Sequence, residues 1–274
     1  MPELPEVETV RRSLEERILD KVIARVQIMM TKMVRPGAEE FAHGLVCETI
    51  EKLDRRGKYL IIHLTGDKAL VVHLRMTGRL IYCHPDRPLD KHTHVILTLD
   101  DGHQIRYVDI RQFGKLQLIP KEELGVLSGL STLGPEPLSD DFTKEGFKKA
   151  LRNKRTKIKA LLLDQTFIAG LGNIYVDEAL FRAKIHPERV ASTLNPREAV
   201  RLYTAVRDVI AEGIENRGTT LRDYVDGTGQ MGGYQHHLRA YGRENMPCYY
   251  CGRPLERKVV AGRSSTFCPK CQKA

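Results

Sequence analysis

The chain begins MPELPEVETV, with a proline directly behind Met1 and glutamates at positions 3, 6 and 8. Removal of Met1 would leave the secondary amine of Pro2 as the terminus, with carboxylates one and four residues away at Glu3 and Glu6. On one reading that terminal amine is itself the reactive group. The same letters describe an ordinary helix start, where proline at the first position and glutamate in the first turn are favoured. So short a stretch leaves both readings open.

A second constellation closes the chain. Cys248-x2-Cys251-x16-Cys268-x2-Cys271 has the spacing of a zinc ribbon with two knuckles. Four thiolates suit Zn²⁺ and leave no open coordination position, so one structural Zn²⁺ is expected, holding the fold and doing no chemistry. Disulfides or redox pairs fit less well, because no signal peptide is visible and no thioredoxin-like βαβ pattern surrounds either pair. Cys47 and Cys83 read as core residues of apolar strands. Between the knuckles, RPLERKVVAGRSSTF alternates like a hairpin, placing Arg263 near the tip beside Arg257 and Lys258.

The charge points to a polyanion. The 274 residues carry a formal net charge of +9, and it is clustered. Lys148 to Lys159 holds seven basic and no acidic side chains; Ala240 to Ala274 holds seven basic and two acidic ones. Two separated basic regions favour nucleic acid over a merely solvated face. In KIKALLLDQTFIAGLGNIYVDEALF a helix, a glycine-containing turn and a second helix follow one another. Gly170, Gly172 and Asn173 thus stand at a helix start, where free N–H groups make a phosphate site.

The elements that must position these residues are of two kinds. After a first helix at about Pro5 to Leu19, KYLIIHLTGDKALVVHLRMTGRLIYC, HVILTLDDGHQIRYVDI and FGKLQLIP read as strands joined by turns such as Asp101-Gly102. Up to about residue 120 the chain is therefore an antiparallel β domain with one helix at its start. STLGPEPLSDD marks a boundary, and beyond it apolar residues recur three and four apart, with Asn195 a plausible cap. DGTGQMGGY, Asp226 to Tyr234, is expected to be a mobile loop. No stretch approaches the roughly 18 apolar residues of a membrane span, so a cytosolic chain without membrane partners is expected.

PELPEVET, RRGKYL, HLRMTG, DIRQFGK, LGPEPLSDDF, AGLGNIYVDEALF, QHHLRAYGR and the four-cysteine ribbon together resemble bacterial formamidopyrimidine-DNA glycosylase, of the Fpg/Nei family. The matches run from residue 2 to residue 271 in the family's order. The resemblance implies an α+β multidomain chain. An N-terminal antiparallel β-sandwich with an N-terminal helix would fill residues 1–133. A helix-two-turn-helix domain would fill 134–240, with a lesion-capping loop at about 216–235, and a zinc ribbon 241–274. It further implies a monomeric, bacterial, nucleoid-associated enzyme of base-excision repair. That enzyme removes 8-oxoguanine and formamidopyrimidines opposite cytosine from double-stranded DNA and also cleaves abasic sites, as a glycosylase and lyase in one.

By the same resemblance Pro2 attacks C1′ and displaces the damaged base, and β- and δ-elimination then cut the strand. An α-amine suits this role. At reference pKa values roughly a tenth of it is neutral at pH 7, against less than roughly a thousandth of a lysine. Glu3 would serve as general acid–base, Glu6 as its support, Lys58 as a strand lysine at the lesion phosphates, and Arg263 as proton donor for δ-elimination. His73, His92, Lys154, Asn173, Tyr241, Arg257 and Arg263 would grip DNA around an extruded nucleotide. Met76, Arg111 and Phe113 would fill the vacated space by plugging, pairing the orphaned cytosine and wedging the stack. Thr219, Arg222, Asp223 and Tyr224 would read the oxidised base. This chain departs from the family at Arg217-Gly218, where two glycines are expected, and at Asp223, where relatives vary. Endonuclease VIII, the sister family for oxidised pyrimidines, differs in its N-terminal motif and filling residues. A non-catalytic zinc-ribbon regulator gives no reason for Pro2 and Glu3.

Overall fold

A computed structural model describes residues 1–273. The chain forms two compact units, one of residues 1–131 with 216–233, the other of 132–215 with 234 onward.

The first unit opens with α1 (Leu4–Ile18), on which Val7, Val10, Leu14 and Ile18 recur three and four apart and are all buried. β1 (Ile23–Ile28), β2 (Val34–Arg35), α2 (Ala38–Leu45) and seven further strands follow. These are β3 (Ile50–Arg56), β4 (Tyr59–Leu64), β5 (Lys68–His73), β6 (Gly78–Cys83), β7 (Thr93–Leu99), β8 (Gln104–Asp109) and β9 (Lys115–Pro120). They build a four-stranded sheet ordered β1-β7-β8-β6 and a five-stranded sheet ordered β2-β9-β5-β4-β3. Every pairing is antiparallel except β2 with β9. Side chains two apart share a face of a strand, so Leu60, Ile62, Leu70 and Val72 of one sheet meet Val95, Leu97, Ile105 and Tyr107 of the other. α1 contributes Val7, Val10, Leu14 and Ile18 to the same core. Each such side chain contributes about 1.5–3 kcal/mol by leaving water.

Three expectations need correction. The β domain has a second helix, α2, seated by buried Phe41 and Leu45. Cys47 is exposed in a left-handed turn (φ 67°) rather than in a strand, whereas Cys83 is buried in β6. The glycine-rich stretch after Asp226 is fastened to the first unit and is not a free loop. Gly227 N–H donates to Ser13 Oγ (2.9 Å) and Gly227 O accepts from Tyr82 N–H (2.7 Å). A Cβ at Gly227 would come within 2.5 Å of Leu14, so only glycine lets the chain lie this close to α1.

In the second unit α3 (Lys144–Leu151), α4 (Ile158–Leu163), α5 (Asn173–Ala183) and α6 (Pro196–Glu215) are followed by a hairpin of β10 (Glu256–Val260) and β11 (Arg263–Phe267). Asn195 caps α6 as expected: its Oδ1 accepts from Arg197 and Glu198 N–H, both at 3.0 Å. The turn between α4 and α5 is held by Gln165, whose Oε1 accepts from Gly170 N–H and whose amide donates to Leu163 O and Leu171 O. None of the described helices is long and apolar enough to cross a membrane.

Candidate active site and nucleic-acid interface

At the head of α1 the N-terminus forms the cap that its letters allow. Pro2 is buried, and Glu3 and Glu6 form a capping box in which Glu3 N–H donates to Glu6 Oε2 (2.8 Å). Glu6 has a second partner: its Oε1 accepts from Thr219 N–H at 2.7 Å. One buried carboxylate therefore joins the chain start to a segment more than 200 residues away in sequence. Gly218 lets them meet, since a Cβ there would lie 2.9 Å from the Glu6 side chain. α1 packs on β3 and β4, and the two-residue turn joining those strands carries Lys58, which is only 8 % exposed. Lys58 thus stands at a hairpin tip and not within a strand. One turn along α1, buried Glu8 binds Arg11, Arg12 (2.7 Å) and Arg55 of β3 (3.0 Å). Burial alone would raise its pKa, but the three guanidinium groups outweigh that and hold it at about 2.

His73 ends β5 with its ring edge against Tyr59, centroids 4.5 Å apart, and its Nδ1 accepts from Arg75 N–H at 3.0 Å. Burial first, then the charges of Arg75 and Lys58, push its pKa down to about 3. The ring is therefore neutral, and with Nδ1 accepting, its proton resides on Nε2.

The two turns RMTG and RQFG leave β5 and β8, and each holds a non-glycine residue in the left-handed region: Arg75 (φ 54°) and Gln112 (φ 58°). Beside these, Met76 is 37 % and Phe113 51 % exposed, while Arg111 lies with its guanidinium 4.8 Å above the Phe113 ring. Apolar side chains held this openly on turns are not core residues; they are available to a partner. His92 follows Asp90, which accepts from its N–H, and His92 O accepts from Asp109 N–H.

The four residues expected to read the base divide. Arg222 is exposed and Asp223 half-buried, but Tyr224 belongs to the sandwich core, with its hydroxyl near Glu6 O (3.3 Å) and Arg217 O (3.1 Å). Thr219 is buried and presents its amide to Glu6. Arg217 takes the left-handed conformation (φ 60°) where glycine is expected, and its guanidinium binds the buried Asp226. Asp226 Oδ1 also accepts from the amides of Thr228 and Gln230. The departure from two glycines is thus matched by an ion pair.

On the second unit the basic run is only partly a surface. Lys149, Arg152, Lys154 and Arg155 are exposed, but Lys157 pairs with Glu188 (2.7 Å). Lys159 is fully buried, with its amine on Asp177 Oδ1 (2.6 Å) and Ser264 O (2.7 Å). Asp177 Oδ2 accepts from Thr266 N–H, and Asn173 Nδ2 donates to Ser264 O. Lys159, Asp177 and Asn173 therefore clamp β11 against α4 and α5, which orients exposed Arg263 at the hairpin turn Ala261-Gly262. Arg257 is exposed on β10 with Glu244 3.6 Å away. Tyr241 is held through its backbone: Glu178 of α5 accepts from the amides of Arg239 (3.0 Å), Ala240 (2.8 Å) and Tyr241 (2.8 Å).

Lys159, Asp177, Glu178 and Asp109 escaped the sequence reading. Buried acids inside helix or strand patterns look like surface charges until their partners, 60 or more residues away for Glu178, are known. The only available hint is their apolar surroundings.

The four cysteines meet as expected. Their sulfurs lie within 4.8 Å of one another, with Cys251–Cys268 at 3.5 Å and Cys248–Cys271 at 4.0 Å. Zinc–sulfur bonds of about 2.3 Å in a tetrahedron require sulfurs about 3.8 Å apart, so the set fits the ion. Backbone N–H groups of Tyr250 and Cys271 point at Cys248 and Cys268 sulfurs, as thiolates in knuckles require.

Comparison with known proteins agrees with this layout. Residues 1–116 match the family described as formamidopyrimidine-DNA glycosylase N-terminal domain, 133–225 its H2TH domain, and 247–274 a zinc finger found in FPG and IleRS. The chain is 55 % identical to the formamidopyrimidine-DNA glycosylase of Desulforamulus reducens over the whole of both chains. It is 54 % identical to that of Pelotomaculum thermopropionicum, covering 100 % of this chain and 99 % of the relative. Among solved structures it superposes on a Lactococcus lactis FPG mutant in complex with a Fapy-dG containing DNA (TM-score 0.95, 39 % identity, all of both chains). A Lactococcus lactis Fpg complex with abasic-site DNA matches at a TM-score of 0.94 and 39 % identity over 99 % of this chain and 100 % of that one. This zinc-finger chain belongs to the formamidopyrimidine-DNA glycosylase family, the DNA glycosylases of base-excision repair.

Proposed function

We propose that this protein excises oxidised purines, 8-oxoguanine and formamidopyrimidines, opposite cytosine in duplex DNA, and then cleaves the strand as a lyase. After loss of Met1, the amine of Pro2 attacks C1′ of an extruded nucleotide and the base leaves. The resulting iminium draws electrons from the sugar, so that β- and then δ-elimination expel the two phosphates. Glu3 moves protons at the sugar. Glu6 keeps the amine and Thr219 in register, and Lys58 faces the lesion phosphates. A neutral His73 donates through Nε2 to a phosphate without a charge to desolvate, and His92 contributes from the same unit. Lys154, Asn173, Tyr241, Arg257 and Arg263 supply the remaining backbone contacts, Arg263 also the proton for δ-elimination. Met76, Arg111 and Phe113 occupy the vacated space, and the segment holding Thr219, Arg222, Asp223 and Tyr224 lies over the base. The protein acts as a cytoplasmic monomer on the nucleoid.

One observation carries this reading: Pro2 and Glu3 are buried behind an exposed Met1, and a single carboxylate, Glu6, binds the amides of both Glu3 and Thr219. A helix cap alone needs only the first of those bonds. The Lactococcus lactis proteins crystallised with Fapy-dG and abasic-site DNA lend the substrate class.

Borohydride trapping on a duplex with one 8-oxoguanine opposite cytosine, followed by mass mapping, is the test. A covalent adduct on Pro2 is expected, and none on Pro2 in protein that retains Met1, whose peptide bond turns the amine into an amide. An adduct on Lys58 would replace the nucleophile, and binding without any adduct would overturn the enzymatic reading.

A further inference from the structure

Asp109, the last residue of β8, has no solvent exposure. Its Oδ1 accepts from the Thr77 hydroxyl (2.5 Å) and Arg111 N–H (3.2 Å). Its Oδ2 accepts from Gly114 N–H (2.9 Å) and the Tyr107 hydroxyl (3.2 Å). The Thr77 oxygen accepts in turn from Arg111 N–H at 2.9 Å. The main chain is engaged too: Asp109 N–H donates to His92 O, and Asp109 O pairs with His94 Nε2 at 2.8 Å.

One carboxylate thus reaches into both turns. Thr77 sits between Met76 and Gly78; Arg111 and Gly114 bracket Phe113. Left-handed Arg75 and Gln112 are conformations that an L residue resists, so each turn relaxes unless something holds it. Tyr107 packs so closely on both turns that a Cβ at Gly114 would fall 1.7 Å, and at Gly78 2.7 Å, from its hydroxyl, so both positions require glycine. A buried carboxylate satisfied by four donors is rigid, and both turns inherit that rigidity.

We infer that Asp109 is a positioning residue that locks Met76, Arg111 and Phe113 into one void-filling unit, and through Arg111 sets the preference for the base opposite the lesion. This rests on the proposal that those three side chains enter the DNA. Asp109 touches neither DNA nor the reacting atoms. It acts by sparing Arg111 and Phe113 the cost of ordering when the nucleotide leaves the stack.

Asp109→Asn keeps the shape but turns a donor toward Gly114 N–H. In the full-length protein, the ratio of kcat/KM for 8-oxoguanine opposite cytosine over that opposite adenine is expected to fall by about tenfold. Borohydride trapping on a single-stranded abasic oligonucleotide, which has no opposite base and no void, is expected to stay at the wild-type level. Loss of trapping on the single-stranded oligonucleotide would make Asp109 merely structural and overturn the inference, as would an unchanged ratio. Arg111→Ala separates the two proposals. If it leaves the ratio unaltered, the void-filling assignment fails and this inference with it. If it lowers the ratio while Asp109→Asn does not, only this inference fails. Should Asp109→Asn fail to fold, Thr77→Val removes the hydroxyl bridge to Arg111 and is expected to lower the ratio, with Thr77→Ser restoring it; a wild-type ratio in Thr77→Val would be fatal.

Discussion

Glu178→Gln probes how the second unit holds the segment that carries Tyr241. The carboxylate is 3 % exposed and serves three backbone amides at 2.8–3.0 Å. Glutamine keeps the volume and one oxygen, which can stay on Ala240 and Tyr241. Its amide nitrogen then faces Arg239 N–H, donor against donor. A buried donor left unsatisfied costs about 1–3 kcal/mol, and two charge-assisted bonds become neutral ones worth roughly half as much. Against this, burial raises the Glu178 pKa even though the three amides pull it down, so the neutral side chain recovers desolvation. The balance is a loss of about 2.5 kcal/mol. Because the effect is local, native-state hydrogen exchange measures it directly. Protection of the amides of residues 239–241 is expected to fall roughly 60-fold, with α1 unchanged. Protection within about threefold of wild type would refute the reasoning and show that neighbouring packing, not the carboxylate, orders the segment.

Two further outcomes follow from charge and metal. The Glu8 carboxyl titrates at about 2 in the folded chain against 4.5 ordinarily, a depressed pKa that stabilises by about 3 kcal/mol above pH 4.5 and is lost as pH falls toward 2. In urea denaturation the deficit of Glu8→Gln is therefore expected to be largest at pH 7 and to shrink steadily below pH 4.5; a deficit independent of pH would contradict the cluster. Metal analysis is expected to find one zinc per chain, and its removal by a chelator should abolish exchange protection in the hairpin of β10 and β11 while sparing the β-sandwich core. Protection that survives complete removal would mean that the clamp of Lys159, Asp177 and Asn173 on β11 holds the hairpin without the metal.

How much of this was legible depends on the range of the interactions. Strands of the sandwich, the cap at Asn195, the turn ahead of α5 and the zinc knuckles are written in local spacing, because alternation, capping and ligand geometry act over a few residues. Pro2 and Glu3 drew notice for the same reason, though their letters alone did not separate a cap from a nucleophile. Helix α2 went unread because its apolar residues, Phe41 and Leu45, are few and the helix is only eight residues long. Lys159 was read with a basic surface, since the seven cations between Lys148 and Lys159 look alike until Asp177 and Ser264 take one of them inside.

By itself the sequence determined the order of the parts, the metal ligands and the chemistry available at the terminus, all of which follow from residue types at short separations. The tertiary structure alone decided which charges are spent internally. Glu6 reaches Thr219, Glu178 reaches Tyr241 and Asp109 joins two turns 30-odd residues apart. A buried carboxylate is stable only where donors converge on it, and donors from distant segments converge only once the core has brought them together.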